Sequence, residues 1–151
     1  PVPHRIRLLV ARDGAFRCEP NPLEPQQMTF ENIPLAQKCI DSHYVFLYHK
    51  TTHRRVYEEI IQLSPGHRDV LLYNELGQIT ESTLANVAFE IDGVLCTPPL
   101  KCGLLPGTLR VSLLEQSRLK ERIVTVDEAL LCPDIFLMNA VRGMHKVRLI
   151  S

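Results

Sequence analysis

Three features of the sequence could together perform covalent chemistry on an aldehyde or an amine. Lys50 lies in the segment HKTTHRR, and Glu81 follows downstream in ITESTLANV. A Pro106-Gly107 turn then precedes TLRVSLLEQSRL, a predicted helix whose first N–H groups could bind an anion such as phosphate. A lysine can act as a nucleophile towards an aldehyde, and a buried glutamate needs a cation or a protonated nitrogen as its partner.

Each of these features is, taken singly, also consistent with an ordinary structural role. Lys50 could be a solvated lysine at a basic helix start, Glu81 an exposed glutamate at a strand end, and Gly107 part of a loop-to-helix junction. Together they match the three groups of pyridoxal phosphate, which has an aldehyde, a pyridine nitrogen that is protonated when it withdraws electrons, and a phosphate. The three features are therefore chemically sufficient for this cofactor.

Neither a metal site nor a disulfide framework is indicated. His49 and His53 have the spacing that places two ligands on one helix face, but no third ligand follows at a matching distance. The five cysteines are loosely spaced and form no C-x-x-C motif. This pattern indicates reduced thiols, from which we predict a cytoplasmic protein without a metal.

The composition is that of a soluble globular protein, with 151 residues of which 45% are hydrophobic. The 17 basic and 17 acidic residues give a formal net charge of zero, which argues against nucleic acid or an anionic membrane surface as the main partner. No apolar run is long enough to cross a bilayer, and no signal peptide opens the chain. Because it begins at Pro1, we expect the chain to be part of a longer protein.

The elements that must position these residues are predicted to be a mixture of strands and helices. Strands are predicted in HRIRLLV and after the Asp13-Gly14 turn, in YVFLY, DVLLYNE, NVAFEIDGVLCT around Asp92-Gly93, ERIVTV, DIFLMN and HKVRLI. Helices are predicted in TTHRRVYEEIIQL, PGTLRVSLLEQSRL and DEALL, and the proline-rich residues 19 to 28 are predicted to be a loop. The absence of a regular βαβ alternation favours an α+β fold.

The first of these helices is expected to begin at an N-cap provided by Thr51 or Thr52. Its buried side would carry residues at helical spacing, namely Val56, Ile60 and Leu63. The strand YVFLY would end just before Lys50, so that the lysine side chain emerges at a strand end.

The segments ITESTLANV and LCTPPLKCGLLPGTLR resemble the signature of the class IV, fold-type IV pyridoxal-phosphate enzymes. This family includes branched-chain aminotransferases, D-amino-acid aminotransferase and 4-amino-4-deoxychorismate lyase. The residues that match in order and spacing are Glu81, Asn86, Thr97, Leu105, Gly107 and Arg110. The resemblance covers most of residues 44 to 149. It implies an α+β fold, the large C-terminal domain of these enzymes, with a mixed sheet, a barrel-like core and flanking helices.

The resemblance also implies a role for each matched residue. Lys50 would form a Schiff base with the cofactor and later move protons, Glu81 would keep the pyridine nitrogen protonated, and Leu105 would pack against the ring. The phosphate would be held by backbone groups of two loops, at Gly107, Thr108, Leu109, Asn139 and Ala140. Arg142 is a candidate partner for a substrate carboxylate, or else a surface or dimer-interface arginine.

Within the family, the motifs HKTT.R, CGLLPGT.R and NAVRG are most similar to the lyase branch, which includes a domain fused to aminodeoxychorismate synthase component I. Three residues depart from the family pattern. Ala88 replaces an aromatic residue, Thr108 replaces an aliphatic one, and Ala140 stands where aminotransferases have a phosphate-binding threonine. These differences weigh more against an aminotransferase than against the cofactor.

The implied activity is that of a 4-amino-4-deoxychorismate lyase, which releases pyruvate and forms 4-aminobenzoate for folate synthesis. A branched-chain or D-amino-acid aminotransferase and a non-catalytic binding or assembly domain are the alternatives. The family's small N-terminal domain, with a phosphate-binding arginine and one wall of the substrate pocket, has no counterpart here. We therefore expect residues 1–151 to be a single cofactor-binding domain that folds alone, forms a homodimer, works with aminodeoxychorismate synthase and is inactive by itself.

Overall fold

The computed structural model describes residues 2–23 and 31–150. In chain order its strands are β1 His4–Val10, β2 Phe16–Pro22, β3 Glu31–Pro34, β4 Leu71–Tyr73, β5 Ile79–Ser82, β6 Asn86–Ile91, β7 Val94–Thr97, β8 Lys120–Glu121, β9 Ile135–Asn139 and β10 Gly143–Ile150. The helices are α1 Arg55–Gln62, α2 Thr108–Glu115 and α3 Val126–Leu131, with 3-10 helices at Val45–Leu47 and Leu100–Cys102. Strands and helices do not alternate regularly, so the predicted α+β class is confirmed.

Six strands form a mixed sheet in the order β3-β10-β9-β6-β7-β8. The β3–β10 and β7–β8 pairs are parallel, and the others are antiparallel. The β4–β5 pair bridges the two ends of this sheet. On one side the Ala36 N–H donates to the Leu71 carbonyl over 2.8 Å, and on the other the Ile79 N–H donates to the Val124 carbonyl over 2.8 Å. The pairings therefore run round a barrel-like core, as the resemblance implied.

The interior of this barrel is filled by side chains that alternate along the strands, because successive residues of a strand point to opposite faces. Val87 and Phe89 of β6 face inward with their β9 partners Leu137 and Ile135. Ala88, between them, faces outward and packs with residues of α2. Burial of β6 on both faces explains why its sequence is apolar without alternation. The remaining buried members of the interior are Ile33, Leu71, Ile79, Ala85, Val124, Ala129 and Val147.

Helix α1 packs outside the barrel, against β4. Its buried residues are Tyr57 and Ile60, which lie on one face because they are three positions apart. The prediction of Leu63 on this face was wrong, since Leu63 follows the helix and is 40% exposed. The predicted N-cap was also wrong: Arg54 occupies that position without a side-chain cap, and the Thr51 hydroxyl accepts from the His53 N–H instead.

Two predicted strands and part of a predicted loop differ from the structure. YVFLY contains a 3-10 helix rather than a strand, with only Leu47 of that helix buried, so Lys50 does not end a strand. ERIVTV retains the strand only at Glu121, because Thr125 begins α3 through a capping box with Glu128. Residues 19 to 22 of the predicted loop belong to β2, and residues 24 to 28 lie outside the described residues.

Both predicted hairpins are confirmed. The β1–β2 pair closes around Asp13-Gly14, and β6 and β7 meet at Asp92-Gly93. Asp92 and Gly93 have φ angles of 52° and 72°, as a two-residue hairpin turn requires. Among the described helices, none has the length and apolar character needed to cross a membrane.

Phe89 should be among the most important residues for stability. Phe89→Ala removes a fully buried ring from the barrel interior and should lower the free energy of unfolding by about 3–5 kcal/mol. Phe16→Ala is the matched control, because Phe16 is 75% exposed and should change stability by less than about 0.5 kcal/mol. Urea unfolding followed by circular dichroism measures both, and equal losses would contradict the described interior.

Candidate active site

Glu81 on β5 is a buried carboxyl group surrounded by hydrogen-bond donors, with 4% of the residue exposed. Its Oε1 accepts from the Tyr57 hydroxyl over 2.8 Å. Its Oε2 accepts from Asn86 Nδ2 and from the Leu105 N–H, each over 3.2 Å. No lysine, arginine or histidine of residues 2–23 and 31–150 forms an ion pair with it. Glu81 is therefore an acceptor site that lacks a cationic partner.

Burial raises the pKa of Glu81 to about 8. The hydrogen bonds from Tyr57 and Leu105 and the positive charges of Arg54 and Lys50 act in the opposite direction, but the loss of hydration outweighs them. Burial and the neighbouring carboxyl raise the pKa of Tyr57 above its ordinary range, so it remains a donor. Burial without an ion-pair partner therefore favours the neutral, protonated form of Glu81 at neutral pH.

Asn86, the first residue of β6, connects Glu81 to the turn before α2. Its Nδ2 also donates to the Leu105 carbonyl over 2.8 Å. The turn continues through Gly107, whose N–H donates to the same carbonyl over 2.8 Å. A Cβ atom at position 107 would lie 2.1 Å from Asn86 Oδ1, which is closer than any real contact allows. A side chain at position 107 would therefore displace the Asn86 amide from its hydrogen bonds to Glu81 and Leu105.

The N-terminus of α2 offers backbone donors beside this turn. Gly107 is the N-cap and has no side chain to accept from the first turn. Within the described ranges, the N–H groups of Thr108 and Leu109 have no acceptor. Arg110, by contrast, is buried and donates to the Pro98 carbonyl over 2.9 Å. The arginine anchors the helix, and the free N–H groups are left for an anion.

The β9–β10 turn lies at the same end of the barrel as Asn86. Met138 is the register partner of Asn86, and Asn139 pairs with Gly143 across the turn. Asn139 Oδ1 accepts from the Val141 N–H over 3.0 Å and from the Arg142 N–H over 2.9 Å. Ala140 and Arg142 are exposed. The register thus brings Asn139 and Ala140 to the end of the barrel that holds Asn86.

Lys50 is exposed and lies in the coil between the first 3-10 helix and α1. It makes no hydrogen bond within the described part of the chain, but its charge is one of those that lower the pKa of Glu81. Lys50 is therefore close enough for its charge to act on the Glu81 carboxyl group. Their roles towards a cofactor, and those of the other expected site residues, stay predictions.

Sequence reasoning missed the contribution of α1 to this site. The Arg54 guanidinium lies 4.5 Å from the centroid of the Tyr57 ring and donates to the Thr83 carbonyl over 2.5 Å. Asp69 holds the same turn by accepting from the Thr83 hydroxyl over 2.6 Å. The signal in the sequence was the position of Tyr57 three residues before Ile60, which places a polar group on the buried helix face.

Comparison with known proteins identifies the family. A sequence profile described as amino-transferase class IV matches residues 1–150. The chain belongs to the class IV aminotransferase family. A Schizosaccharomyces pombe protein provisionally named an aminodeoxychorismate lyase is 39% identical over 108 residues. That match covers 64% of this chain but only 45% of the relative, so this class IV chain spans under half the length of that protein.

Solved structures of the family share its fold. A Mesorhizobium loti protein provisionally named an amino-acid aminotransferase is 38% identical to this chain, with a TM-score of 0.90. The match covers 97% of this chain and 73% of the M. loti chain. A hypothetical aminotransferase from Mycobacterium tuberculosis, solved with α-ketoglutarate and PMP bound, is 20% identical. Its TM-score is 0.76, and the match covers 95% of this chain and 59% of the M. tuberculosis chain. The second likeness concerns the fold alone.

The buried carboxyl should make stability depend on pH. Glu81 has an ordinary pKa of 4.5 and a folded-state pKa of about 8. Between these values the folded state binds one more proton than the unfolded state, so stability should fall as the pH rises from about 5 to 8 and level off above that. The upper limit of the loss is about 5 kcal/mol.

Glu81→Gln keeps the shape of the side chain and cannot ionise, so it should remove this part of the pH dependence. Urea unfolding of both proteins at several pH values between 5 and 9 measures the difference. Glu90→Gln on β6 of the six-stranded sheet is the control, because Glu90 is exposed. Parallel curves for the native protein and Glu81→Gln would show that Glu81 does not hold a proton in the folded state.

Proposed function

We propose that this chain is the cofactor-binding domain of a pyridoxal-phosphate-dependent 4-amino-4-deoxychorismate lyase. The reaction eliminates pyruvate from the substrate and leaves 4-aminobenzoate, a precursor in folate synthesis. The observation that carries the proposal is Glu81, a buried carboxyl with three donors and, among the described residues, no ion-pair partner, in a chain of the class IV family. The identity of 39% to the S. pombe relative supports the lyase activity.

The residues present fit pyridoxal phosphate group by group. A protonated pyridine nitrogen would supply the cation that Glu81 lacks, and the aldehyde could combine with the exposed amine of Lys50. The phosphate would accept from the free N–H groups of Thr108 and Leu109 at the positive end of the α2 dipole. The Asn139-Ala140 loop would lie beside it, because the strand register brings that loop to the same end of the barrel.

Bound pyridoxal phosphate supplies an aldehyde that combines with amines and a protonated ring that withdraws electrons from the attached substrate. Glu81 holds the proton on the ring nitrogen, and the burial of its carboxyl keeps water from competing for it. The Nζ of Lys50 takes a proton from the substrate and returns it at a later step. Leu105 packs against the ring, and Arg142 pairs with a substrate carboxylate.

An aminotransferase is the second candidate. It is supported by the identity of 38% to the M. loti structure, which is provisionally named an amino-acid aminotransferase. Both reactions use the same residues around the cofactor, so these residues do not separate them. The difference lies in the outcome: a transaminase leaves the amino group of the donor on the cofactor, whereas the lyase leaves it on the aromatic product.

The wider setting of the site is also proposed. We infer that the chain is the C-terminal half of a longer enzyme, supported by its span of 45% of the S. pombe relative. A homodimer is supported by apolar side chains left exposed near Lys50, at Val45 and Phe46. Cooperation with aminodeoxychorismate synthase follows from the lyase substrate, and a cytoplasmic location is supported by the five free cysteines.

Lys50 should be the residue that combines with the cofactor. Borohydride treatment of the protein with pyridoxal phosphate should reduce the C=N bond between the lysine and the cofactor. The cofactor should then remain attached to the peptide that contains Lys50. Mass spectrometry of the digest measures the site, and Lys50→Arg, which retains the charge but not the nucleophile, should abolish the label. A label on Lys101 or Lys146 would disprove the assignment.

The activity itself should be measured on the protein at its full natural length. With 4-amino-4-deoxychorismate we expect release of equal amounts of 4-aminobenzoate and pyruvate, and Glu81→Gln should reduce turnover by roughly 100-fold or more because it cannot hold a pyridinium. Conversion to the pyridoxamine form by an amino acid alone, without 4-aminobenzoate release, would instead establish the aminotransferase. If no cofactor binds, the domain has a non-catalytic role.

A further inference from the structure

Tyr57 connects α1 to Glu81 by a hydrogen bond that the proposed reaction does not require. Its hydroxyl donates to Glu81 Oε1 over 2.8 Å, and both residues are buried. We propose that Tyr57 is a positioning residue, which orients the Glu81 carboxyl group and determines how readily it gives up a proton. The effect on cofactor binding rests on the proposed function, whereas the effect on the carboxyl group does not.

The two oxygens of Glu81 are supported unequally. Oε2 accepts from Asn86 Nδ2 and the Leu105 N–H, so it keeps its place if either donor is lost. Among the described residues, the only hydrogen bond to Oε1 comes from Tyr57. Removal of this hydroxyl would leave one carboxyl oxygen buried without a donor. The orientation of the carboxyl group therefore depends on a single side chain of α1.

The Tyr57 ring is itself held in place on two sides. Ile60 and the apolar residues of β4 pack around it in the cluster between α1 and the barrel. The Arg54 guanidinium covers its face at 4.5 Å and also donates to the Thr83 carbonyl, two residues beyond Glu81. The beginning of α1 thus holds both the carboxyl group and the turn that follows it.

A hydrogen bond donated to a carboxylate stabilises its charged form. The titratable or charged side chains that act on Glu81 are those of Tyr57, Arg54 and Lys50, and all three favour its ionisation. Loss of the Tyr57 hydroxyl should therefore raise the pKa of Glu81 further above about 8. The carboxyl group would then transfer its proton to a ring nitrogen less readily, and the cofactor would bind more weakly.

The first test measures the carboxyl group without any cofactor. The pKa of Glu81 is followed by NMR of protein labelled with ¹³C at the glutamate carboxyl, with Glu81→Gln identifying the signal. Tyr57→Phe should raise the pKa, and 2,3-difluorotyrosine at position 57, a stronger donor of the same shape, should lower it. The control is Tyr48→Phe, which removes a hydroxyl bonded to the Ser42 carbonyl over 2.7 Å and should leave the signal in place.

Opposite shifts in the two Tyr57 variants would establish the inference, and an unchanged pKa in both would overturn it. If Tyr57→Phe does not fold, the fluorinated protein decides alone, since it retains the ring and the hydrogen bond. A purely structural role for Tyr57 would alter stability in Tyr57→Phe but would not lower the pKa in the fluorinated protein.

The second test is a double-mutant cycle on the binding of pyridoxal 5′-phosphate, followed by its absorbance. Tyr57→Phe should weaken binding by roughly tenfold when Glu81 is present and by less than about twofold in the Glu81→Gln background. Equal factors in both backgrounds would mean that Tyr57 does not act through Glu81. Failure of the native protein to bind pyridoxal 5′-phosphate would refute the proposed function. The NMR measurement would still test the effect of Tyr57 on Glu81 independently.

Discussion

The burial of an ionisable carboxyl group without a charged partner is the constraint on which this site depends. Isolated charges in a protein interior cost several kcal/mol, so such groups are normally paired or neutral. Three donors from different parts of the chain, namely α1, β6 and the turn before α2, offset part of this cost for Glu81, and the remainder raises its pKa. The fold places α1, β6 and the turn before α2 around the Glu81 side chain.

The barrel makes this convergence possible because its closure restricts the positions of the strand ends. Glu81 lies on the β4–β5 pair that completes the ring, and Asn86 begins the strand at the centre of the six-stranded sheet. Helix α2 is attached to the outside of the same strand through Ala88 and its neighbours. The donors are therefore carried by elements whose cores are packed independently of any ligand, and the site should be largely formed before a cofactor arrives.

The sequence predicted the fold class, both hairpins and the family, because these depend on local patterns and on motifs of fixed spacing. It failed where the deciding interaction was tertiary. The segment YVFLY has strand-like composition, yet its Val45 is 54% exposed and Leu47 is its one fully buried residue. Tyr57 was overlooked because its partner lies on a distant strand, and no local pattern records a hydrogen bond across that separation.

The close approach of Asn86 to Gly107 has an evolutionary consequence. A Cβ atom at position 107 would lie 2.1 Å from Asn86 Oδ1, so a substitution of the glycine requires the Asn86 side chain to move away from its hydrogen-bond partners. Shortening Asn86 first would remove the obstruction, but it would also remove one donor from Glu81 and one from the Leu105 carbonyl. A change at either position therefore weakens the support of Glu81, so we expect Asn86 and Gly107 to be retained together in related sequences.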